Sequence, residues 1–371
     1  MKVSAFKVGM GAPDDVSEGR KLLDAGAFKA EHVAAILGKT EGNGGVNDYT
    51  RALATQCFQL LIAEKSGLTM DDIARKVPII WSGGTEGLMS PHATIFVKDP
   101  DGGGQGQKGS TVGGFTVGTA YTRDMTPEEF GTMAHVQSAA EGVKAAIEDA
   151  GIEDASDIHF VQIKTGALTT ERIKDAYSRN ARVVTNDTYK SMSYARSVAA
   201  LGIGMATGEI DEGKVSEAVI GQDLAIFSNI ASASSGIELM NCEIIVLGNS
   251  PRSTSDLVID HAVMKDAIDA SAVREALRKV GLEVDGELAE RDQGRLVNMF
   301  VKCEPDPSGN TRGRRHVVFE DSDINYTRHI RGAVNAVVAS VTGDTMCYIS
   351  AGAEHQGPAS GGVVAALARK A

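Results

Sequence analysis

Three lysines, three arginines and three serines recur along this chain in one order. The serines head a repeated pentapeptide, Ser-x-Gly-x-Glu, at residues 82–86, 234–238 and 350–354. Upstream of each copy a lysine closes an apolar run: Lys39, Lys164 and Lys302. Between lysine and serine stands a Tyr-x-Arg, ending at Arg51, Arg196 and Arg328. A serine hydroxyl is a poor nucleophile until a base takes its proton, and histidine is the usual base. The eight histidines of this chain bear no repeated relation to the serines. A lysine can serve instead if it is neutral, and both burial and nearby positive charge lower a lysine pKa. Three arginines around one cavity would supply that charge and would also hold a substrate by its carbonyl oxygens. The residue after each serine is small (Gly83, Ser235, Ala351). Small residues let backbone N–H groups approach a developing oxyanion. Taken singly, a strand-end lysine is a solvated cap and a Ser-x-Gly is a turn. Their recurrence as a set, in the same order, favours one site with three-fold character and Ser–Lys chemistry.

The elements that must position these residues also repeat. A β-rich run precedes each lysine, at residues 33–38, 160–163 and 296–301. A helical segment carries each arginine; Val198, Leu201 and Met205 follow Tyr194 at helical spacing. A second β-rich run leads into the serine at residues 77–81 and 346–349, with no counterpart before Ser234, and a further run follows at 243–247. Strands alternating with helices indicate an α/β protein of sheet-plus-helix units. Two polar, glycine-rich stretches, 99–106 and 248–255, read as linkers. They divide the chain into units at 1–101, 107–247 and 254–371, each with one Lys–Arg–Ser set. Lysine-to-arginine spacings of 12, 32 and 26 residues exclude a solenoid of fixed period. Diverged domains closed around an axis fit better.

Composition narrows the function class. The chain has 371 residues and a net charge of −12, from 37 basic and 49 acidic groups. That balance disfavours nucleic acid and anionic membranes as partners. No apolar stretch approaches the roughly 20 residues that cross a bilayer. The first residues, MKVSAFKVGMGAPDD, lack a charged-then-apolar leader pattern. The four cysteines, Cys57, Cys242, Cys303 and Cys347, show no Cys-x-x-Cys spacing and read as reduced thiols of a cytoplasmic protein. The run 202–208, GIGMATG, resembles a phosphate loop only loosely, because it ends a helix rather than opening one.

Several long stretches resemble the ring-opening amidohydrolase family of cyanuric acid amidohydrolase and barbiturase. They are residues 38–51 (GKTEGNGGVNDYTR), 82–87 (SGGTEG), 159–164 (HFVQIK), 321–325 (DSDIN) and 353–358 (AEHQGP), so the resemblance spans the chain. It implies three homologous α/β domains around a pseudo-three-fold axis with a barrel-like core. It implies Ser234 as nucleophile and Lys164 as its base. Ser82 with Lys39, and Ser350 with Lys302, would bind and polarise the other ring carbonyls. The third arginine is Arg328 by the internal repeat and Arg331 by the family pattern, one helical turn on. The resemblance further implies a homotetramer, no organic cofactor, and a structural Mg²⁺ or Ca²⁺ held by Glu304 with groups around Ala353, Gln356, Gly357, Pro358 and Gly361. Oxygen-rich ligation suits either cation.

The implied substrate is a small cyclic imide. Gly45, Trp81 and the run Thr165-Gly166-Ala167 lean toward barbiturase. Arg196, Arg331 and residues 350–354 lean toward cyanuric acid, since complete three-fold decoration suits a three-fold ring. Cyanuric acid is the favoured reading. Barbituric acid and a non-catalytic binding protein for such rings stay open beside it.

Overall fold

A computed structural model describes residues 1–102 and 113–371. The first glycine-rich stretch lies partly outside the described residues, from Gly103 onward. The fold is α/β: three four-stranded mixed sheets with helices on them, and a small two-stranded ribbon. Among the described residues no sheet closes on itself.

The first sheet comprises β1 (Lys2–Gly9), β2 (Val33–Thr40), β3 (Ile79–Gly83) and β4 (His92–Asp99), with helices α1 (Ser17–Asp24), α2 (Tyr49–Ser66) and α3 (Met70–Lys76). The second comprises β5 (Gly114–Tyr121), β6 (Ile158–Gly166), β7 (Ala231–Gly236) and β8 (Cys242–Ser250), with α4 (Met133–Ala150), α5 (Thr170–Ser178) and α6 (Thr188–Thr207). The third comprises β9 (Leu257–Met264), β10 (Leu296–Cys303), β13 (Tyr348–Ala351) and β14 (Gly362–Arg369). Its helices are α7 (Ala270–Lys279), α8 (Glu290–Gln293) and α9 (Tyr326–Thr342), and the ribbon β11 (Asn310–Thr311) and β12 (Arg314–Arg315) precedes α9. All three sheets share one strand order, β1-β4-β2-β3, β5-β8-β6-β7 and β9-β14-β10-β13. In each, the strands that come second and third along the chain (β2 and β3, β6 and β7, β10 and β13) are parallel and need a crossover, which the arginine-bearing helix supplies.

Those three helices start alike. Asp48, Asp187 and Asn325 cap α2, α6 and α9, each accepting a bond from a backbone N–H of the first turn. The sheets pack one face against their own helices. The opposite faces meet in a shared core that includes Phe96, Phe115, Phe160, Phe300 and Tyr348. Phe160 and Phe300 lie 5.5 Å apart between ring centroids, and Phe96 and Phe300 6.2 Å. Strands buried on both faces cannot alternate apolar and polar residues, and β6 is buried at all nine positions.

Two sequence expectations need correction. β7 is a strand although its residues, ASASSG, carry no β-rich signal. Small residues suit it because it runs parallel to β6 in the middle of the site. The stretch read as a second linker also begins too early: Gly248, Asn249 and Ser250 continue β8. A Cβ on Gly248 would lie 2.3 Å from the Asp157 carbonyl oxygen, so this glycine marks close strand packing.

Candidate active site

The parallel pairing explains why lysine and serine recur together. In register, Lys39 stands opposite Ser82, Lys164 opposite Ser234, and Lys302 opposite Ser350. Directly opposed residues present their side chains on one face. The lysine at the end of the second strand therefore meets the serine at the end of the third. All three lysines are buried.

The pentapeptide serves contacts between units. Arg51 Nε donates to Glu238 Oε1 at 2.5 Å, Arg196 Nη2 to Glu354 Oε1 at 2.6 Å, and Arg331 Nη2 to Glu86 Oε1 at 2.7 Å. Each arginine thus crosses to the glutamate of another sheet's pentapeptide, in a closed cycle. The central glycine makes room for it. A Cβ on Gly84 would lie 2.7 Å from Arg331 Nη2, and one on Gly352 would lie 2.5 Å from Arg196 Nε. Gly352 also has a φ of +85°, which a side chain tolerates poorly. Gly352→Ala is expected to cost about 1–3 kcal/mol from strain and overpacking together, read as a lower denaturation midpoint.

One small cavity collects the ends of these elements. Its lining includes Arg51, Arg196, Arg331, Ser82, Ser234 and Ser350, together with Lys164. Gly83, Ser235 and Ala351, the residues after the serines, line it too. Arg328 does not. Its guanidinium is 42% exposed and touches Glu86 from outside at 3.2 Å, whereas the Arg331 side chain is 5% exposed. Lys39 and Lys302 lie just behind the wall. None of the eight histidines lines the cavity.

The three Lys–Ser pairs are not equivalent. Lys39 Nζ donates to Ser82 Oγ at 2.9 Å and to the Ile349 carbonyl at 2.8 Å. Lys302 Nζ donates to Ser350 Oγ at 3.0 Å and to the Ala233 carbonyl at 2.6 Å. Lys164 donates to no serine hydroxyl; it reaches the Ser235 carbonyl, at 3.4 Å, and lies 3.9 Å from Glu238. Ser234 Oγ instead accepts from Gln162 Nε2 at 3.2 Å.

Electrostatics suit a lysine base. Burial, then the neighbouring Arg51 charge, brings Lys164 down to about 8, against the pull of Glu238, Asp48 and Glu243. Burial and Arg196 bring Lys302 to about 7, and burial and Arg331 hold Lys39 well below the usual lysine range. Each lysine is thus depressed by the arginine of a different unit. Burial opposes ionisation of Glu238, but Lys164 and Arg51 outweigh it and hold that carboxyl at about 2. Basicity alone does not separate the middle pair from the others. Hydrogen bonding does: Lys39 and Lys302 each spend donors on a carbonyl and a serine, which favours the charged form.

The residues expected to hold a cation lie together beside β10. Glu304 accepts from Ala353 N at 2.6 Å. Burial and the adjacent Glu354 push its carboxyl up to about 7, so a cation there would relieve a real cost. The Gln356 side-chain oxygen accepts from Ala233 N at 2.5 Å and keeps a second lone pair, so both it and the backbone carbonyl could face a metal. Gly357 borders the same hollow as Glu304. Pro358 O accepts from Gly361 N at 2.9 Å and keeps a second lone pair. A carboxylate among carbonyl oxygens fits a hard divalent cation.

Comparison with known proteins gives the family. The profile of the family described as amidohydrolase ring-opening protein matches residues 4–369. A cyanuric acid amidohydrolase of Enterobacter cloacae is 50% identical, with both chains covered in full. A protein named barbiturase 2, from a Nocardioides species, is 44% identical over 93% of this chain and 92% of its own. A solved cyanuric acid hydrolase superposes with a TM-score of 0.93 at 42% identity, covering 99% of each chain. The chain belongs to the ring-opening amidohydrolase family.

Proposed function

We propose that this protein opens the ring of cyanuric acid by hydrolysis, giving carboxybiuret, which loses carbon dioxide to leave biuret. The observation that carries the reading is the single cavity lined by three serines and three arginines drawn from three like sheets. Cyanuric acid has three carbonyls alternating with three ring nitrogens. A site with three-fold character meets each carbonyl with a serine and an arginine. The units 1–101, 107–247 and 254–371 are read accordingly as homologous domains about a pseudo-three-fold axis, their inner faces forming a barrel-like core.

Within that frame Ser234 is the nucleophile and Lys164 its base. Neutral Lys164 takes the Ser234 proton, and the alkoxide attacks one ring carbonyl. Backbone N–H groups next to the serine stabilise the oxyanion. Protonated Lys164 delivers its proton to the leaving ring nitrogen, and water then releases the opened product. Ser82 with Lys39, Ser350 with Lys302, and the arginines Arg51, Arg196 and Arg331 hold and polarise the other carbonyls. Hydrogen bonding supports this division: the Lys39 and Lys302 amino groups donate to their serines, and that of Lys164 does not.

A direct assay tests the reading. Incubated separately with cyanuric acid and barbituric acid, the protein is expected to consume the first, with biuret appearing in equal amount. Turnover of barbituric acid alone would transfer the assignment to barbiturase, which the cavity residue Trp81 favours. Turnover of neither would leave a ring-binding protein. Because Lys164 must be neutral and is brought down to about 8, kcat/KM is expected to fall as pH drops below about 8. Initial rates between pH 6 and 9 check this; a flat profile through that range would exclude Lys164 as the base.

Three further assignments rest on the family resemblance. The structural cation, Mg²⁺ or Ca²⁺, is held by the Glu304 carboxylate with carbonyl oxygens around Ala353, Gln356, Gly357, Pro358 and Gly361, and enters no step of the reaction. No organic cofactor is needed. The protein works as a homotetramer in the cytoplasm, which sedimentation and fractionation would test; among the described residues no helix is long and apolar enough to cross a membrane. Chelation is expected to lower the denaturation midpoint more than the initial rate, measured by melting with and without EDTA.

A further inference from the structure

A second, larger cavity adjoins the first. Its volume is about 460 Å³, and it lies between the α2–α3–β3 side of the first unit and the β5–β6–β8 side of the second. Arg51, Trp81 and Lys164 belong to both cavities. Lys164 therefore stands with Arg51 and Trp81 in the partition between the serine cavity and this cleft. Across the partition, on the cleft side, stands Glu243.

The sheet register places Glu243 with care. It is the residue of β8 directly opposite Lys164 in β6, and also opposite Tyr121 in β5. The three side chains share one face of the sheet. The Glu243 carboxyl has no hydrogen bond and no ion pair among the described residues, and the Tyr121 hydroxyl is buried without a partner. The other charged groups lining the cleft are Arg51 and Arg75 from the helices and Glu238 after β7. Of these Glu238 is already engaged by Arg51. Burial pushes Glu243 up to about 8, although Lys164 pulls the other way.

Neither sister unit has this arrangement. Opposite Lys39 stands His92, which is fully buried and bonded to the Ser90 carbonyl and to Asn298. In the third sheet the ladder ends at Val301 and Val364, and the next residue on β14 is the buried Val363. Only the middle lysine faces a half-buried acid and a water-sized route beyond it.

Hydrolysis makes such a route necessary. A ring C–N bond breaks, and the nitrogen takes a proton from Lys164. Water then adds its oxygen to the carbonyl carbon, and its protons go to Ser234 and to the site. The product carboxyl is ionised at neutral pH, so it leaves the enzyme as the anion and one proton per turnover has to leave separately. Lys164 is 5% exposed, so its access to bulk water runs through the cleft that it lines together with Glu243. We propose that Glu243 accepts the surplus proton from Lys164 by way of a bridging water and passes it on to water in the cleft, so that this cleft is the proton exit of the middle unit. Glu243 touches no reacting atom. It is a positioning residue in the proton path, acting through Lys164, and its role rests on the reading of Lys164 as the base.

The experiment compares wild type, Glu243→Gln and Glu243→Asp on cyanuric acid at low buffer concentration, with and without imidazole as a mobile proton carrier. The glutamine is isosteric and cannot carry the proton. Its kcat is expected to fall by about tenfold or more with KM nearly unchanged. Imidazole is expected to restore the rate in a saturable way, while wild type ignores it and Glu243→Asp keeps most of its rate. A Glu243→Gln enzyme with wild-type kcat would overturn the proposal, and so would a loss that imidazole leaves untouched in a variant that melts normally. Lys164→Ala and Ser234→Ala run alongside. If either keeps turnover, the base and nucleophile assignment fails; if both are dead and Glu243→Gln is normal, only the proton exit fails.

Discussion

Ser234→Ala is expected to abolish turnover of cyanuric acid, by at least about 10⁴-fold in kcat, with a melting curve indistinguishable from wild type. The size of the loss follows from the role: without the hydroxyl no acyl-enzyme forms, and Lys164 has no proton to take. The melting curve should not move because Ser234 Oγ makes one side-chain contact, the 3.2 Å bond from Gln162. Ser82→Ala and Ser350→Ala are expected to behave differently. Each removes a holder, so KM rises and kcat falls by roughly 10–100-fold, short of the complete loss. They also leave Lys39 or Lys302 without its serine partner, so a modest drop in stability of about 1 kcal/mol should accompany the kinetic effect. Burst kinetics on the wild-type enzyme, and their disappearance in Ser234→Ala, would separate the two roles. Equal losses in all three alanine variants would mean that the serines share one role, and the assignment would fall.

The second large effect concerns the arginine–glutamate cycle. Arg331→Met should destabilise the protein by about 3–5 kcal/mol, because it strands the Glu86 carboxylate in the interior. Glu86 is 13% exposed, and two bonds from Arg331 help hold it ionised against the cost of burial. The double variant Arg331→Met/Glu86→Gln should recover much of that loss, since no charge is left unpaired. Arg328→Ala, a helical turn away on the same glutamate, should cost no more than about 1 kcal/mol, because its side chain stays 42% exposed. Denaturant titration of wild type and the three variants gives these differences directly. A loss at Arg328 equal to that at Arg331 would show that both arginines are structural members of the cavity. Substrate affinity should follow the same order, because only Arg331 lines the cavity.

Much of the site was legible along the chain because it is written three times. Lys39, Lys164, Lys302 and the three serines stand out by recurrence alone, and the parallel register shows why they come as pairs. The choice between Arg328 and Arg331 was not legible. Both sit on α9 three residues apart, and only the packing of that helix decides which guanidinium turns inward. β7 was missed for a different reason: ASASSG has no propensity for a strand, and tertiary pairing with β6 imposes one. Glu243 was hidden inside a run read as plain strand, since nothing local says that it pairs with Lys164 on the neighbouring strand.

By itself, then, the order of residue types determined the α/β class and the threefold recurrence of lysine, arginine and serine, and it suggested the kind of chemistry, because strand–helix alternation and nucleophile–base pairs are local or repeated properties. Only the tertiary structure decided which unit serves which. Arg51 depresses Lys164, Arg196 depresses Lys302, and Arg331 depresses Lys39, each reaching from another unit. The inequality of the three Lys–Ser pairs is of the same kind. It comes from hydrogen bonds to Ile349 and Ala233, from the cleft and from Glu243. Electrostatic coupling depends on distance and burial, and residues far apart in sequence acquire both only when the sheets close on their shared core.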